Sequence, residues 1–355
     1  MIDLKTIKPN KVSTDLHSYS AFIYGEPKIG KTSFVHDLYG DRVLHIMTEK
    51  RYKTLEGAYV QYVSSWSEYL QVMRQLKNKE IREQFDVVSI DTVDNLYGFL
   101  EKFVAAKWQE ESIGSGKAGF GQDWTDLKNM WKDGLMKIEQ AGYTPVFVGH
   151  SVQASVQVPL SGVLQTQLDE LKNAKEVKDK NGASYIEFQK YIPDLKDKVI
   201  APINKMVDNI LFLGMTVDAN GNEHRVIHTR SSMQWLAGST FKNIQSPVEL
   251  NATAYQHAVE QAVDEVPDEY KNEDKVSDSD IANETPDFDE TMERAKKLGF
   301  TLANSDKANR VKAVVDKVFG LDAKLTGATK EQIEQLVEAV QLLEEEVKDA
   351  GLEVE

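Results

Sequence analysis

The chain has no cysteine among its 355 residues, which excludes disulfides, thiolate zinc sites and cysteine nucleophiles together. No run of about 18 apolar residues occurs, so no stretch reads as a membrane-spanning helix. Met1 to Asn10 mixes Asp3, Lys5 and Lys8 with isolated aliphatics, which is not the pattern of a signal peptide. The expectation is a soluble protein of the cytoplasm with no membrane partner. A basic excess is also missing, since the formal net charge is −15. That charge is unevenly placed: residues 256–355 carry 26 acids against 12 bases, and residues 1–255 carry 31 against 30. An acidic balance argues against nucleic acid, because phosphate contacts need basic groups. With the acidity in the tail, the near-neutral body stays free to present local basic loops. Arginine is absent from residues 151–206, which speaks against a small-molecule kinase with an arginine-rich lid.

What is present begins with Gly25 to Thr32, GEPKIGKT, which fits the phosphate-binding pattern G-x-x-x-x-G-K-[ST] at every fixed position. Ser20 to Tyr24 before it is apolar and uncharged, as a buried parallel strand should be. Ser33 to Tyr39 after it runs on without a breaker to Gly40, a helix stop. Strand, glycine-bounded loop and helix is the order the chemistry requires. Gly25 and Gly30 let the backbone turn, and the amides of Glu26, Pro27, Lys28, Ile29, Gly30, Lys31, Thr32 and Ser33, proline excepted, line a cradle at a helix N-terminus. Lys31 is expected to reach the β- and γ-phosphates, and the Thr32 hydroxyl to join a Mg²⁺ shell.

Further along, residues 41–49 predict a second strand, its apolar run of Val43, Leu44, Ile46 and Met47 ending at Thr48-Glu49, and Trp66 to Lys77 has the spacing of an amphipathic helix. Phe85 to Asp91, FDVVSID, predicts a buried strand that ends in a carboxylate. A helix over Val93 to Gln109 is followed by a glycine-rich loop, Gly114 to Trp124, then by a helix over Asp126 to Gln140 and a strand, YTPVFVGH, ending at His150. This alternation predicts an α/β fold with a mostly parallel central sheet flanked by helices. In residues 151–206 an Asn181-Gly182 turn predicts a projecting hairpin. Val207 to Met215 and Glu223 to Thr229 predict two more strands. Residues 263–290 hold 12 acids and two lysines, too little apolar surface to fold alone. Helices are then expected over Thr291 to Leu298, from Ser305 to Gly320, and over Lys330 to Ala350. The division expected is an N-terminal segment 1–17, a core 18–255, an acidic flexible linker 256–290 and a helical module 291–355.

A phosphate loop alone does not choose an activity. AAA+ proteins usually carry a glutamate directly after the magnesium-linked aspartate, whereas Asp91 is followed by Thr92, and the next acid is Asp94. Glu49, at the end of the neighbouring strand, is better placed. With GEPKIGKT, HIMTE and FDVVSIDTVDNL, the chain over residues 18–242 resembles the RecA-like P-loop ATPases, and more closely the phage-encoded RecA-core ATPases that act with single-strand annealing and recombination proteins. The resemblance implies ATP and Mg²⁺ as cofactors, Asp91 holding Mg²⁺ through water, and Glu49 activating the attacking water. It puts His150 where RecA has a γ-phosphate-sensing glutamine; an imidazole there either donates one hydrogen bond to phosphate or packs as a neutral ring. Arg230, with Arg225 second, is the candidate for a finger acting on a neighbour's phosphate. A homo-oligomer, ring or filament, is implied as well, along with single-stranded DNA held by Gly114 to Trp124 and by the lysine-rich segment 172–205, with Tyr185, Phe188 and Tyr191 for stacking. The same lysines alternate with acids, and a solvated mixed-charge face accounts for them equally. The C-terminal module is expected to meet an annealing or single-strand-binding protein. The alternative is a nucleotide-gated assembly or regulatory protein that touches no DNA.

Overall fold

The computed structural model describes residues 9–116, 119–171, 174–272, 288–305, 307–320, 323–329 and 332–352. They form two units, one within Asn10–Val276 and one in the C-terminal region from Ser277 onward. In the larger unit β1 (Val12–Ser13) is followed by β2 (Ala21–Gly25), the phosphate loop and α1 (Lys31–Tyr39). Then come β3 (Val43–Met47), β4 (Tyr59–Tyr62), α2 (Trp66–Gln75), α3 (Lys79–Gln84), β5 (Val87–Asp91), α4 (Val93–Lys107) and α5 (Gln122–Gln140). The chain continues through β6 (Thr144–Pro159), α6 (Gln165–Glu170), β7 (Lys175–Lys178), β8 (Ser184–Pro193), α7 (Asp197–Met206), β9 (Asn209–Val217) and β10 (Glu223–His228). It closes with β11 (Gly238–Ser239), β12 (Val248–Glu249), α8 (Ala252–Asp264) and β13 (Lys271–Asn272), which pairs with β1.

Along the central sheet the order is β12-β10-β9-β2-β6-β5-β3-β4. The pairs from β9 to β4 are parallel, and β10 and β12 extend the sheet antiparallel. Alternation along β2 sends Phe22 and Tyr24 to one face and Ala21 and Ile23 to the other. The first face packs on α2, α4, α5 and α7 through Trp66, Leu96, Leu100, Trp131 and Ile203; the second packs on α1 and α8 through Phe34, Val35, Tyr255 and Val259. The fold is therefore mixed α/β with a mostly parallel central sheet flanked by helices, as the alternation predicts.

Three boundaries differ from the sequence expectation. The core does not stop at 255: α8 lies against α1 with Tyr255, Ala258, Val259, Ala262 and Val263 buried, because apolar residues recur along it at helical spacing. Only the part of the expected linker after α8 lacks that stripe, and residues 273–287 lie outside the described residues. Second, β6 does not end at His150. It continues as an arm whose far half pairs antiparallel with β8, which pairs in turn with β7 across the turn at Gly182. Third, in the C-terminal unit α9 (Phe288–Asn304) runs through Gly299, since Met292, Ala295, Leu298 and Leu302 need one continuous helix to share a face. It packs with α10 (Ala308–Phe319) and α11 (Ile333–Asp349) around Val314, Leu336, Val340, Leu343 and Val347. Ser305 does not cap α10; its hydroxyl donates back to the Thr301 carbonyl.

Candidate functional site

The site is assembled where β2, β3 and β5 end and where β6, at His150, runs out of the central sheet into the arm. Parallel strands bring their C-terminal ends to one edge, and β6 lies between β2 and β5, so the loop after β2 faces carboxylates two strands away. Gly25 ends β2 against β9: a methyl group on it would come within 2.5 Å of the Leu213 carbonyl oxygen, so no side chain fits. Gly30 has φ of 116°, a conformation that L side chains rarely adopt, and it lets the loop turn into α1.

Lys31 is buried, and its Nζ donates to the Gly25 and Glu26 carbonyls, both at 2.9 Å. Burial pulls its ammonium below the usual lysine range, while Asp91, Asp94 and Glu49 oppose that shift. The Thr32 hydroxyl donates to Asp91 Oδ2 at 2.6 Å. Asp91 is 5% exposed, and burial raises its carboxyl above the normal range, against the Thr32 hydrogen bond and Lys31. A hydroxyl and a carboxylate this close are hard oxygen donors of the kind Mg²⁺ takes, so Thr32 and Asp91 fit the ion expected of them. Of the other loop residues, Glu26, Pro27 and Lys28 are exposed, Ile29 is buried in the α1-side core, and Ser33 is exposed on the first turn of α1.

Glu49 lies just beyond β3, whose neighbour is β5, with Met47 opposite Asp91. Its Oε1 accepts from Asn95 Nδ2 and its Oε2 from Arg51 Nε, each at 2.9 Å. No sequence motif singles out Asn95, which stands on the first turn of α4, or its neighbour Asp94. The Asp94 carboxylate accepts from the His150 backbone N–H at 3.2 Å and pairs with His150 Nδ1 at 2.9 Å. The hydrogen bond to Asp94 raises the His150 imidazole above its ordinary value, in spite of burial. Burial works to raise Asp94, but its bonds to His150 prevail and hold it low. Asp94 takes Nδ1 of His150, which leaves Nε2 as the ring nitrogen for another partner.

Arg230 is placed differently from expectation. Its guanidinium donates to the carbonyls of Ser239, Phe241 and Lys242, because the loop after β10 folds back over it. These bonds staple that loop, and they leave no free fork for a neighbour's phosphate.

The expected nucleic-acid segments are also partly reassigned. Lys117 and Lys172 lie outside the described residues. Phe188 is 2% exposed and belongs, with Ile186 and Leu171, to the small core of the arm. Tyr191 packs on Phe212 and bridges to Trp235. Tyr185 is half-buried, and Lys175, Lys178 and Lys180 are exposed beside Glu176 and Asp179. In the glycine-rich loop, Asp123 ties down the Gly114 N–H at 2.6 Å, and Trp124 is 50% exposed. Among the described residues no helix is long and apolar enough to cross a membrane.

Comparison with known proteins bears on the same stretch. A family model described as "AAA domain" matches residues 17–241. The "SPbeta prophage-derived uncharacterized protein YorG" of Bacillus subtilis (strain 168) is 24% identical over 352 residues, 94% of each chain.

Proposed function

The chain belongs to the AAA domain family of P-loop ATPases, and from that premise we propose that it is a Mg²⁺-dependent ATPase acting on single-stranded DNA in phage recombination, repair or replication. The observation that carries the ATPase reading is the 2.6 Å hydrogen bond between Thr32 and Asp91, which joins the phosphate loop to the magnesium strand. Thr32 and Asp91 would hold Mg²⁺, and the ion when bound neutralises charge on the phosphate oxygens. The Lys31 ammonium turns from the Gly25 and Glu26 carbonyls to the phosphates. Glu49, oriented by Arg51 and Asn95, takes the proton of the attacking water. His150 offers Nε2–H to the terminal phosphate, with Asp94 fixing the ring.

Support for the DNA part is of a different kind. The strand that carries His150 runs on into the arm, so exposed Lys175, Lys178 and Lys180 stand on a hairpin continuous with the site. Trp124 offers an exposed ring for stacking. The prophage-derived relative is consistent with a phage setting in a host cytoplasm. Assembly into a ring or filament, and contact of the three-helix C-terminal unit with an annealing or single-strand-binding protein, belong to the same proposal. One observation favours the second reading, a nucleotide-gated regulatory protein without DNA: lysines on the arm alternate with acids, and Gln157 donates to Glu187 across it.

ATP turnover measured with and without single-stranded DNA at low salt separates the two. Stimulation that fades as salt rises supports the DNA reading. Turnover indifferent to DNA, with no salt-dependent gel shift, supports the regulatory one.

A further inference from the structure

The groups that face the terminal phosphate in the proposed mechanism all stand on one side of β2: Asp91 ends β5, Asp94 and Glu49 follow β5 and β3, and His150 lies on β6. On the other side of β2 lie β9 and β10, and from them a second set of side chains reaches the phosphate loop. A methyl group placed on Gly30 would lie 3.9 Å from Arg225 Nη1 and 3.7 Å from Leu250 Cδ2. Arg225, on β10, is directly opposite Met215 of β9, so the two project to the same face. That face is the one of Leu213, two residues before Met215, which packs in the α1-side core. Met215 is 47% exposed. The Leu250 N–H donates to the Arg225 carbonyl at 3.0 Å, which fixes the end of β12 against β10 and holds Leu250 beside the arginine.

Arg225 and Leu250 therefore stand side by side against Gly30, and Met215 extends this shelf on the neighbouring strand as the cross-strand partner of Arg225. Among the described residues nothing accepts a hydrogen bond from the Arg225 guanidinium. With the terminal phosphate assigned to the Asp91 side of the loop, the Gly30 side, where Arg225 and Leu250 stand, is the one open to the rest of the nucleotide. We infer that this shelf receives the nucleoside end of the nucleotide, with the base on Met215 and Leu250 and the Arg225 guanidinium on the α-phosphate and ribose. Arg225 then acts on the nucleotide of its own chain, which differs from the expectation of a finger on a neighbour's phosphate. The inference rests on the phosphate-loop reading and deepens it.

The test is calorimetric binding of ADP and of a slowly hydrolysed ATP analogue, with Mg²⁺, to wild type, Arg225→Ala, Arg225→Lys and Met215→Asp, with Lys31→Ala as reference. Arg225→Ala should weaken both ligands by the same factor, roughly ten- to a hundredfold, the range of a charge-assisted hydrogen bond. Arg225→Lys should recover part of the loss, and Met215→Asp should weaken both ligands as well. Turnover by Arg225→Ala is measured at saturating ATP alongside, to separate a loss of binding from a loss of rate. Unfolding midpoints should hardly move, as both side chains are exposed. Wild-type affinity in Arg225→Ala overturns the inference alone. So does loss confined to the ATP analogue, which assigns Arg225 to the γ-phosphate, or a fall in turnover number with unchanged affinity, which makes it a finger. A wild type that binds neither ligand overturns the phosphate-loop reading beneath it.

Discussion

Replacing Glu49 with glutamine separates catalysis from binding and from stability. The carboxylate holds two hydrogen bonds, one from Asn95 and one from Arg51, each at 2.9 Å. Glutamine keeps an oxygen for Asn95 and loses the bond from Arg51. The Arg51 side chain is 67% exposed, so that ion pair is worth at most about 1 kcal/mol. In a domain of this size the unfolding midpoint should fall by no more than about 4 °C. Nucleotide affinity should be kept, since the phosphate cradle and the Thr32–Asp91 pair are untouched. Turnover is another matter: removing a general base costs roughly 10²- to 10⁴-fold, or about 3 to 5.5 kcal/mol of barrier. Phosphate release should therefore drop by at least about a hundredfold while ATP still binds. Asn95→Ala, which frees the carboxylate to turn, should cost less, about tenfold. If Glu49→Gln hydrolyses ATP within tenfold of wild type, Glu49 is a surface acid held by Arg51 and the base must be sought elsewhere.

Gly25→Ala pushes a methyl group to 2.5 Å from a backbone oxygen of β9, which is clamped between β2 and β10 and cannot yield. A loss of about 1–3 kcal/mol and of nucleotide binding is expected by thermal unfolding and calorimetry. Gly98→Ala, in mid-α4 with nothing within 4 Å, should instead stabilise by about 0.5–1 kcal/mol. His45 is fully buried, neither ring nitrogen has a hydrogen-bond partner among the described residues, and burial, with His36 nearby, lowers it from 6.5 to about 4. Its folded value lies below its unfolded one, so the unfolded chain takes up the proton first. Stability should be full above pH 6.5 and decline toward pH 4 by about 3 kcal/mol from this group. His228 adds to the fall, since burial lowers it to about 4 as well. His45→Phe should flatten part of that dependence in melts taken between pH 7 and 4.5, and an unchanged slope would refute the assignment. A chain ending at 276 should fold and bind nucleotide, whereas one ending at 251 loses Tyr255, Val259 and Val263 from the core. Those side chains contribute about 5–9 kcal/mol by burial, most of a typical domain's stability. A soluble, cooperatively unfolding 10–251 fragment would contradict this.

Much of the site was legible because its chemistry is local in sequence. The loop's glycines, Lys31 and Thr32 are fixed by an eight-residue pattern, and Asp91 ends a charge-free strand that can hardly be anything but buried. The order of strands was not legible. Which strand lies between β2 and β5 depends on how helical crossovers return the chain, and no residue of β6 encodes it. The place of Glu49 came from resemblance, and the structure supplies what the resemblance could not, the partners Asn95 and Arg51. Asp94 had a faint signal, an acid one helical turn beyond Asp91. Its partner His150 is 56 residues away, so the pair exists only in the fold. For α8 the signal was present and was masked. Tyr255, Val259 and Val263 repeat at helical spacing, but counting acids over a window from 256 averaged the stripe into the acidic stretch that follows.

Arginine shows most plainly why residue type underdetermines role. Arg225 and Arg230 lie five positions apart around one strand, and either could be read as a finger. In β10 the odd position of Arg225 sends its side chain over β9 toward Gly30, whereas Arg230 has passed the strand end, where carbonyls with no ladder partner await a donor. Unpaired carbonyls in a tight loop capture a guanidinium because five donors in a fixed fork satisfy several of them at once. The arginine left on the regular strand finds no acceptor among the described residues. The same contrast governs Lys31, whose Nζ rests on two carbonyls and can leave them because phosphate oxygens offer a stronger, charged acceptor in the same place. A basic side chain near a phosphate loop is therefore best judged by what it would have to give up, and by that measure Arg225 and Lys31 are available to a nucleotide while Arg230 is not.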